Sequence, residues 1–560
     1  MLTKLFKFIL IISLYQSPLC SKSKSLNDFN LSYLSNYFSG IVAYENQDNF
    51  KALQFFKSSK FLIKRHNSYL EKYIYSLVLE GKVQIATNEI KKNLTKNNSK
   101  FFEAHLLLAI DSLMKKKYKK SKNHLEQSYA FINNDKVSLI IVETLKQYLY
   151  VFEENKTPST KNKFGNFSLV NEVLQRCYLN DKNTEIYFDQ IINTAGNEDS
   201  RYIFFYINYL IENNKYSKAK EITNDLDYLT SSLLISQGKK WIEDLEFKKF
   251  KKIFSCRNSD DIVSELFFLV ANLYSSQDDY ERSNFYLNVA HHLNPKFKFN
   301  LSLLAENYYL NKNYLKTSKI LEAFNKKDEF YYWFKIKKEA QMISRQQNSV
   351  VAANFINLML KQIKNPSIKI IFDVANFNKD AKQYKKAIKN YDLIISKIDI
   401  NTTLYAEVLY RRGISYERLA DYKSSDRDLL KSLEINPDDA YVLNYLAYSW
   451  LEREYRIGTA LQMLEKAYSS RNNDPYIIDS IGWAYYLIND YIKAEIFLKR
   501  AVELMPEDPT VNDHYGDILW KLNRKVQARY FWESVLNLKE TDNEMKKIIN
   551  VKLIEGLKVS

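Results

Sequence analysis

Glycine and proline are scarce, at ten and eight in 560 residues. An all-β chain of this length needs turn glycines at many places, so the scarcity favours helices joined by short turns. It also leaves little room for phosphate-cradling loops or a nucleophile elbow, and no GxxxxGK(S/T), GxGxxG or GxSxG pattern occurs. Cysteine is limited to Cys20, Cys177 and Cys256, and histidine to His66, His105, His124, His291, His292 and His514, with no paired-cysteine or HExxH motif. Beyond the N-terminus no apolar run approaches the roughly eighteen residues a membrane-spanning helix needs. No catalytic residue, cofactor or metal site is therefore expected.

What the chain has in abundance is tyrosine (43) and phenylalanine (33). A stack of helical hairpins needs many large apolar residues, because each unit buries faces against both neighbours. A compositional bias toward Lys, Asn, Ile, Tyr and Phe would give similar counts. The length exceeds what one compact core supports, which points to several domains or a repeat array. The net charge is +16, yet residues 401–560 carry 22 Lys and Arg against 25 Asp and Glu, so the basic excess is N-terminal. It is scattered as single lysines and short runs such as Lys115 to Lys117, without Arg-rich or Gly-aromatic nucleic-acid signatures. A solvated basic face is expected and no nucleic-acid partner, the alternative being an anionic-membrane or nucleic-acid surface in the N-terminal region.

The start, MLTKLFKFILIISLYQSPLC, has Lys4 and Lys7, an apolar stretch from Phe8 to Tyr15 and a break at Pro18. This is the layout of a secretion signal, so residues 1–20 are expected to be a signal peptide or an N-terminal anchor. Cys20 follows an apolar stretch as in a bacterial lipoprotein signal, but Leu19 stands where a small residue is wanted, which favours simple cleavage over lipidation. The expected location is the periplasm or cell envelope, with membrane attachment through the N-terminus as the alternative. Cys177 and Cys256 are expected to pack as ordinary helix residues, although an oxidising compartment leaves a disulfide between them open.

Small residues recur at an interval of 34: Ala52 and Ala86, Ala271 and Ala305, Gly482 and Gly516, Ala494 and Ala528. The clearest unit is PYIIDSIGWAYYLINDYIKAEIFLKRAVELMPED, with Gly482, Tyr485, Ala494, Leu498, Ala501 and Pro506. Two antiparallel helices cross closely only where a side chain is tiny, so Gly482 and Ala494 are expected to face each other while Tyr485 and Leu498 fill the gap. The same phase returns at Gly413, Tyr416, Leu429 and Pro437, at Ala271, Tyr274, Leu287, Ala290 and Pro295, and at Gly516, Ala528 and Trp532. Extended along the chain, the register starts units near residues 33, 67, 101, 200, 264, 298, 330, 368, 406, 440, 475 and 509. Residues 135–200 are helical in period but lack a clean small-residue phase, and ENKTPSTKNKFGN at 154–166 reads as a loop.

This pattern resembles the tetratricopeptide repeat. From about residue 405 the strings YRRGISYERL, VLNYLAYSWLE, IIDSIGWAYYL and VNDHYGDILWKLNRKVQARYFW resemble an exported repeat family of Gram-negative bacteria, related to envelope lipoprotein adaptors. The resemblance implies an all-α fold, a right-handed superhelical solenoid of antiparallel helix hairpins. Residues 21–400 would be degenerate repeats, 401–540 consensus repeats and 541–560 a capping helix. It further implies a non-enzymatic scaffold or adaptor that holds a protein or peptide in its concave groove, the partner being an envelope protease or assembly machinery. A membrane-anchored assembly factor is the alternative.

In such a stack the first helix of each pair lines the groove. The lining expected here is Tyr410, Arg411 and Arg418; Asn444, Tyr445 and Tyr448; Asp479, Trp483 and Tyr486; and Asp513, His514, Asp517 and Trp520. Aromatic residues with polar ends suit peptide capture. Asp513 and Asp517 lie four apart on one helical face, as a metal site would need, while His514 points elsewhere on that helix, so no metal is assigned.

Overall fold

A computed structural model describes residues 31–64, 66–93, 101–132, 135–158, 166–195, 200–224, 232–326 and 328–557. The signal-like segment and Cys20 lie outside the described residues, as does most of the 154–166 loop. Among the described residues there are 30 α-helices and no strand. No described helix is long and apolar enough to cross a membrane.

Most helices pair as antiparallel hairpins. Each unit start expected from the small-residue phase falls at a helix, for example Leu31–Glu45, Asn67–Leu79, Phe102–Met114, Ile368–Asp380 and Pro475–Leu487. Asp and Asn side chains start many of them by accepting backbone N–H groups: Asp439, Asp474 and Asp508 each bind two, and Pro475 and Pro509 occupy first-turn positions where the missing N–H costs nothing. Glycine-poor turns are made by other residues in the left-handed region, among them Asp278, Lys312, Lys382, Ala420, Glu454, Asn489 and Asn523.

A Cβ at Gly482 would lie 2.7 Å from Leu498 Cγ, so Leu498 fills the space at this crossing as the repeat phase indicates. Gly413 meets Leu429 at 2.9 Å, Gly40 meets Phe56 at 2.8 Å, and Gly516 lies against the Trp532 indole. The spacing is the same in all four, and a large side chain crosses the bare backbone in each. Ala494 is fully buried in the same core.

The chain divides into two compact units, the first ending at Ala323 and the second running from Phe324. This boundary reflects compactness, whereas a division at residue 400 reflects closeness to the repeat consensus. In the first unit the early hairpins pack against helices more than two hundred residues later. Tyr44 donates to Glu281, the Tyr75 and Phe285 rings are 4.7 Å apart, and Lys316 pairs with Glu80. Its interior also holds a buried ion pair, with Arg201 Nε 2.7 Å from Glu265 Oε1 and the guanidinium 3.4 Å from the Phe268 ring centre.

Residues 136–253 hold the irregular part: Lys136–Glu154, Asn166–Tyr178, Thr184–Ala195, and a hairpin, Leu233–Glu243 with Lys248–Ile253, that no small-residue interval announced. Cys177 and Cys256 are joined there by a disulfide, with Cα atoms 5.8 Å apart. This corrects the reading of both as ordinary packing residues.

In the second unit the hairpins Thr403–Glu417/Tyr422–Ile435, Ala440–Glu452/Ile457–Ser470, Pro475–Leu487/Tyr491–Leu504 and Pro509–Lys521/Lys525–Asn537 stack in order on a shared core containing Leu446, Leu464, Ile481, Leu498, Ile518 and Trp532. A last helix, Asn543–Glu555, packs on Lys525–Asn537.

Candidate functional site

The first helices of the last four hairpins lie side by side, because tiny residues on their rear faces let each draw close to its own partner helix. Their opposite faces form a concavity of about 590 Å³. Its wall comes from the C-terminal end of Thr403–Glu417, the middle of Ala440–Glu452, and the N-terminal turns of Pro475–Leu487 and Pro509–Lys521.

The polar groups here are arranged in pairs. Tyr445 Oη donates to Glu417 Oε2 at 2.8 Å, and Arg418 Nε lies 3.4 Å from the same carboxylate. At one edge Arg453 is held by Asp426 at 2.8 Å and lies 4.6 Å from the Tyr422 ring centre. Burial pushes the Tyr448 phenol well above its ordinary value, and the nearby Glu452 and Asp479 carboxylates push it the same way. Two acceptors lack partners: Asn444 Oδ1 and Ser449 Oγ are buried and unbonded.

Behind the cavity His514 Nδ1 lies 2.9 Å from Asp479 Oδ2. Burial would lower this imidazole's pKa, but Asp479 outweighs it, with Asp513 and Asp517 adding to the effect, so the pKa stands above its ordinary value of 6.5. His514 also stacks on Trp483 at 4.1 Å, and Trp483 on Tyr486 at 4.6 Å.

Residues 406–439 match the tetratricopeptide repeat family. That match spans a single stretch of one repeat's length. A TPR repeat-containing protein of Pseudomonas aeruginosa is 34% identical over 110 residues, 20% of this chain and 18% of that relative, so the match spans less than a fifth of it. Among solved structures, a tetratricopeptide repeat protein from Parabacteroides merdae aligns at 15% identity, covering 52% of this chain and 98% of its own, with a TM-score of 0.33. MamA from Desulfovibrio magneticus aligns at 20% identity over 31% of this chain and 97% of its own, with a TM-score of 0.27.

Of the groove residues expected from the repeat register, Arg418, Asn444, Tyr445, Tyr448 and Asp479 line the cavity together. Tyr410 lies edge-on to Tyr445 at 6.1 Å, and Arg411 pairs with Glu407 at 2.6 Å, one repeat further back. Trp483, Tyr486 and His514 form the stacked column and are not part of the cavity wall; His514 is 6% exposed and bonded to the preceding repeat. Asp513 and Asp517 are bridged by the Lys552 ammonium of the last helix, at 2.7 and 2.8 Å, so the cation between them is the chain's own. Trp520 packs against Trp532 at 5.3 Å and is covered by Gly556. Among the described residues no group of three or more His, Cys, Asp or Glu side chains is arranged to hold a metal.

The register missed Glu417, Tyr422, Ser449, Glu452, Arg453, Tyr476 and Asp508, all on the cavity wall. A signal for some of them is present in the sequence: Glu417-Arg418 recurs as Glu452-Arg453 at the ends of successive first helices.

Proposed function

We propose that the chain is a non-enzymatic scaffold whose C-terminal tetratricopeptide repeats hold an extended segment of a partner polypeptide along their concave face. The observation that carries this reading is the cavity of about 590 Å³, whose wall sets the rings of Tyr445, Tyr448 and Tyr476 beside the polar side chains of Arg418, Asn444 and Glu452. Tyr445, Tyr448 and the exposed Tyr476 add apolar area at small entropic cost.

The partner segment is proposed to belong to a protein of the cell envelope, a protease or an assembly component, with the chain located in the periplasm. Support comes from the signal-like N-terminus, the resemblance of the C-terminal strings to exported repeat proteins, and the Cys177–Cys256 disulfide, which suits an oxidising compartment. N-terminal sequencing of the mature protein tests the location: a start shortly after Cys20 supports export with cleavage, and an intact Met1 contradicts it.

For the groove, the test is binding of a partner segment by the wild-type chain and by Asn444→Ala with Tyr448→Ala. Loss in the double variant supports the reading, and unchanged binding defeats it. Trp483→Ala is a poor probe, because Trp483 lies between Tyr486 and His514 and its removal disturbs the stack itself.

A further inference from the structure

The groups facing the cavity are unbalanced. Its carboxylates, Glu417, Glu452, Asp479 and Asp508, outnumber its cations, Arg418 and Arg453. Arg453 is taken up by Asp426, and Arg418 lies against Glu417, which already accepts from Tyr445. His514 is taken up by Asp479. Glu452 is exposed, with the Tyr448 phenol as its neighbour, and Asp508 accepts from the backbone N–H groups of Thr510 and Val511.

Carboxylates alone would attract only a solvated counter-ion. Here they stand with the rings of Tyr445, Tyr448 and Tyr476, and an aromatic wall with a carboxylate behind it selects an organic cation whose stem is apolar and whose head donates hydrogen bonds. The same fold already holds one this way at the cavity's edge, where the Arg453 guanidinium lies over Tyr422 with Asp426 as counter-ion.

We propose that this cavity receives the side chain of a lysine or arginine in the partner segment, with Glu452 as counter-ion and Tyr445 and Tyr448 against the stem. The inference rests on the peptide-binding reading above and adds to it the chemistry of the residue recognised. An acidic segment would bring carboxylates together, and a wholly apolar one would leave Glu452 without a counter-ion, each at a cost in affinity.

The test is selection of a displayed random peptide library on the purified full-length chain, followed by titration of the best synthetic peptide. The proposal expects enrichment of Lys or Arg at one position and roughly tenfold weaker binding when that residue becomes norleucine. It expects a similar loss with Glu452→Gln, at an exposed site, with the fold of the variant checked by circular dichroism, and binding that weakens as salt is raised. Peptides that bind independently of any cation, yet are lost with Asn444→Ala and Tyr448→Ala, would overturn this proposal and leave the peptide-binding reading intact. If no peptide is enriched, or those enriched ignore every groove variant, both fail.

Discussion

His514 on the last repeat reaches back to Asp479 on the one before it, with Nδ1 2.9 Å from Oδ2 and both side chains 7% exposed. The pair ties two neighbouring first helices together behind the cavity. It thereby couples the shape of the groove to a titratable group.

Because the His514 pKa is raised on folding, its contribution is fully present below the unfolded value, about 6.5, and is lost as pH rises through the folded value. Asp517 acts in the same direction: it is pushed up to about 6 by burial and by Asp513, against the pull of Lys552. Thermal melts from mildly acidic to mildly alkaline pH should therefore show a falling Tm, and His514→Gln should flatten the profile by losing stability mainly at the acid end. A profile unchanged by His514→Gln would show that the pair has no such role.

Gly482→Ala should destabilise the repeats by about 1–3 kcal/mol, because its Cβ would sit 2.7 Å from Leu498 Cγ. Leu498→Ala added to it should restore less than additively the separate losses. Gly458, with nothing within 4 Å of its missing Cβ, is the control: Gly458→Ala should leave Tm unchanged or raise stability by up to about 0.5 kcal/mol. Equal effects at Gly482 and Gly458 would contradict the close helix crossing.

Ala420 adopts φ 58° in an exposed turn between two helices. Ala420→Gly removes the steric cost of a Cβ in the left-handed region, and Ala420→Val increases it. The first should raise stability by about 0.5–1 kcal/mol and the second should lower it, as read from the unfolding midpoint.

The disulfide closes a sequence separation of 79 residues. Reductant should lower the melting temperature of the wild-type chain by the equivalent of about 2–4 kcal/mol, and Cys256→Ser should be insensitive to reductant. Equal melts with and without reductant in the wild type would contradict a structural role for the bond.

Much of the stack was readable from Gly413, Gly482, Gly516 and the alanines at an interval of 34, because helix crossing distance constrains those positions more than any other. At Gly482 the residue that fills the gap, Leu498, is legible too. The Leu233–Glu243 helix is not marked by this phase: Gly238 packs on Phe204 and Phe250, with no small residue repeating one unit later. Contacts such as Tyr75 with Phe285 depend on how the array turns over many hairpins, which no local pattern encodes. In the groove, Asn444, Tyr445 and Tyr448 follow from register alone. The burial of His514, and the use of Asp513 and Asp517 by Lys552, depend on neighbouring helices and could not be read from their own.

The most direct test of the groove is site-specific photocrosslinking in the full-length chain with a benzoylphenylalanine at position 448, compared with position 530 on the outer helix, where Tyr530 is 69% exposed. The expected result is an adduct at 448 that maps to one segment of one polypeptide, is abolished by Asn444→Ala, and has no counterpart at 530. An adduct formed at 530 and not at 448, or one at 448 indifferent to Asn444→Ala, would contradict binding in the concave face.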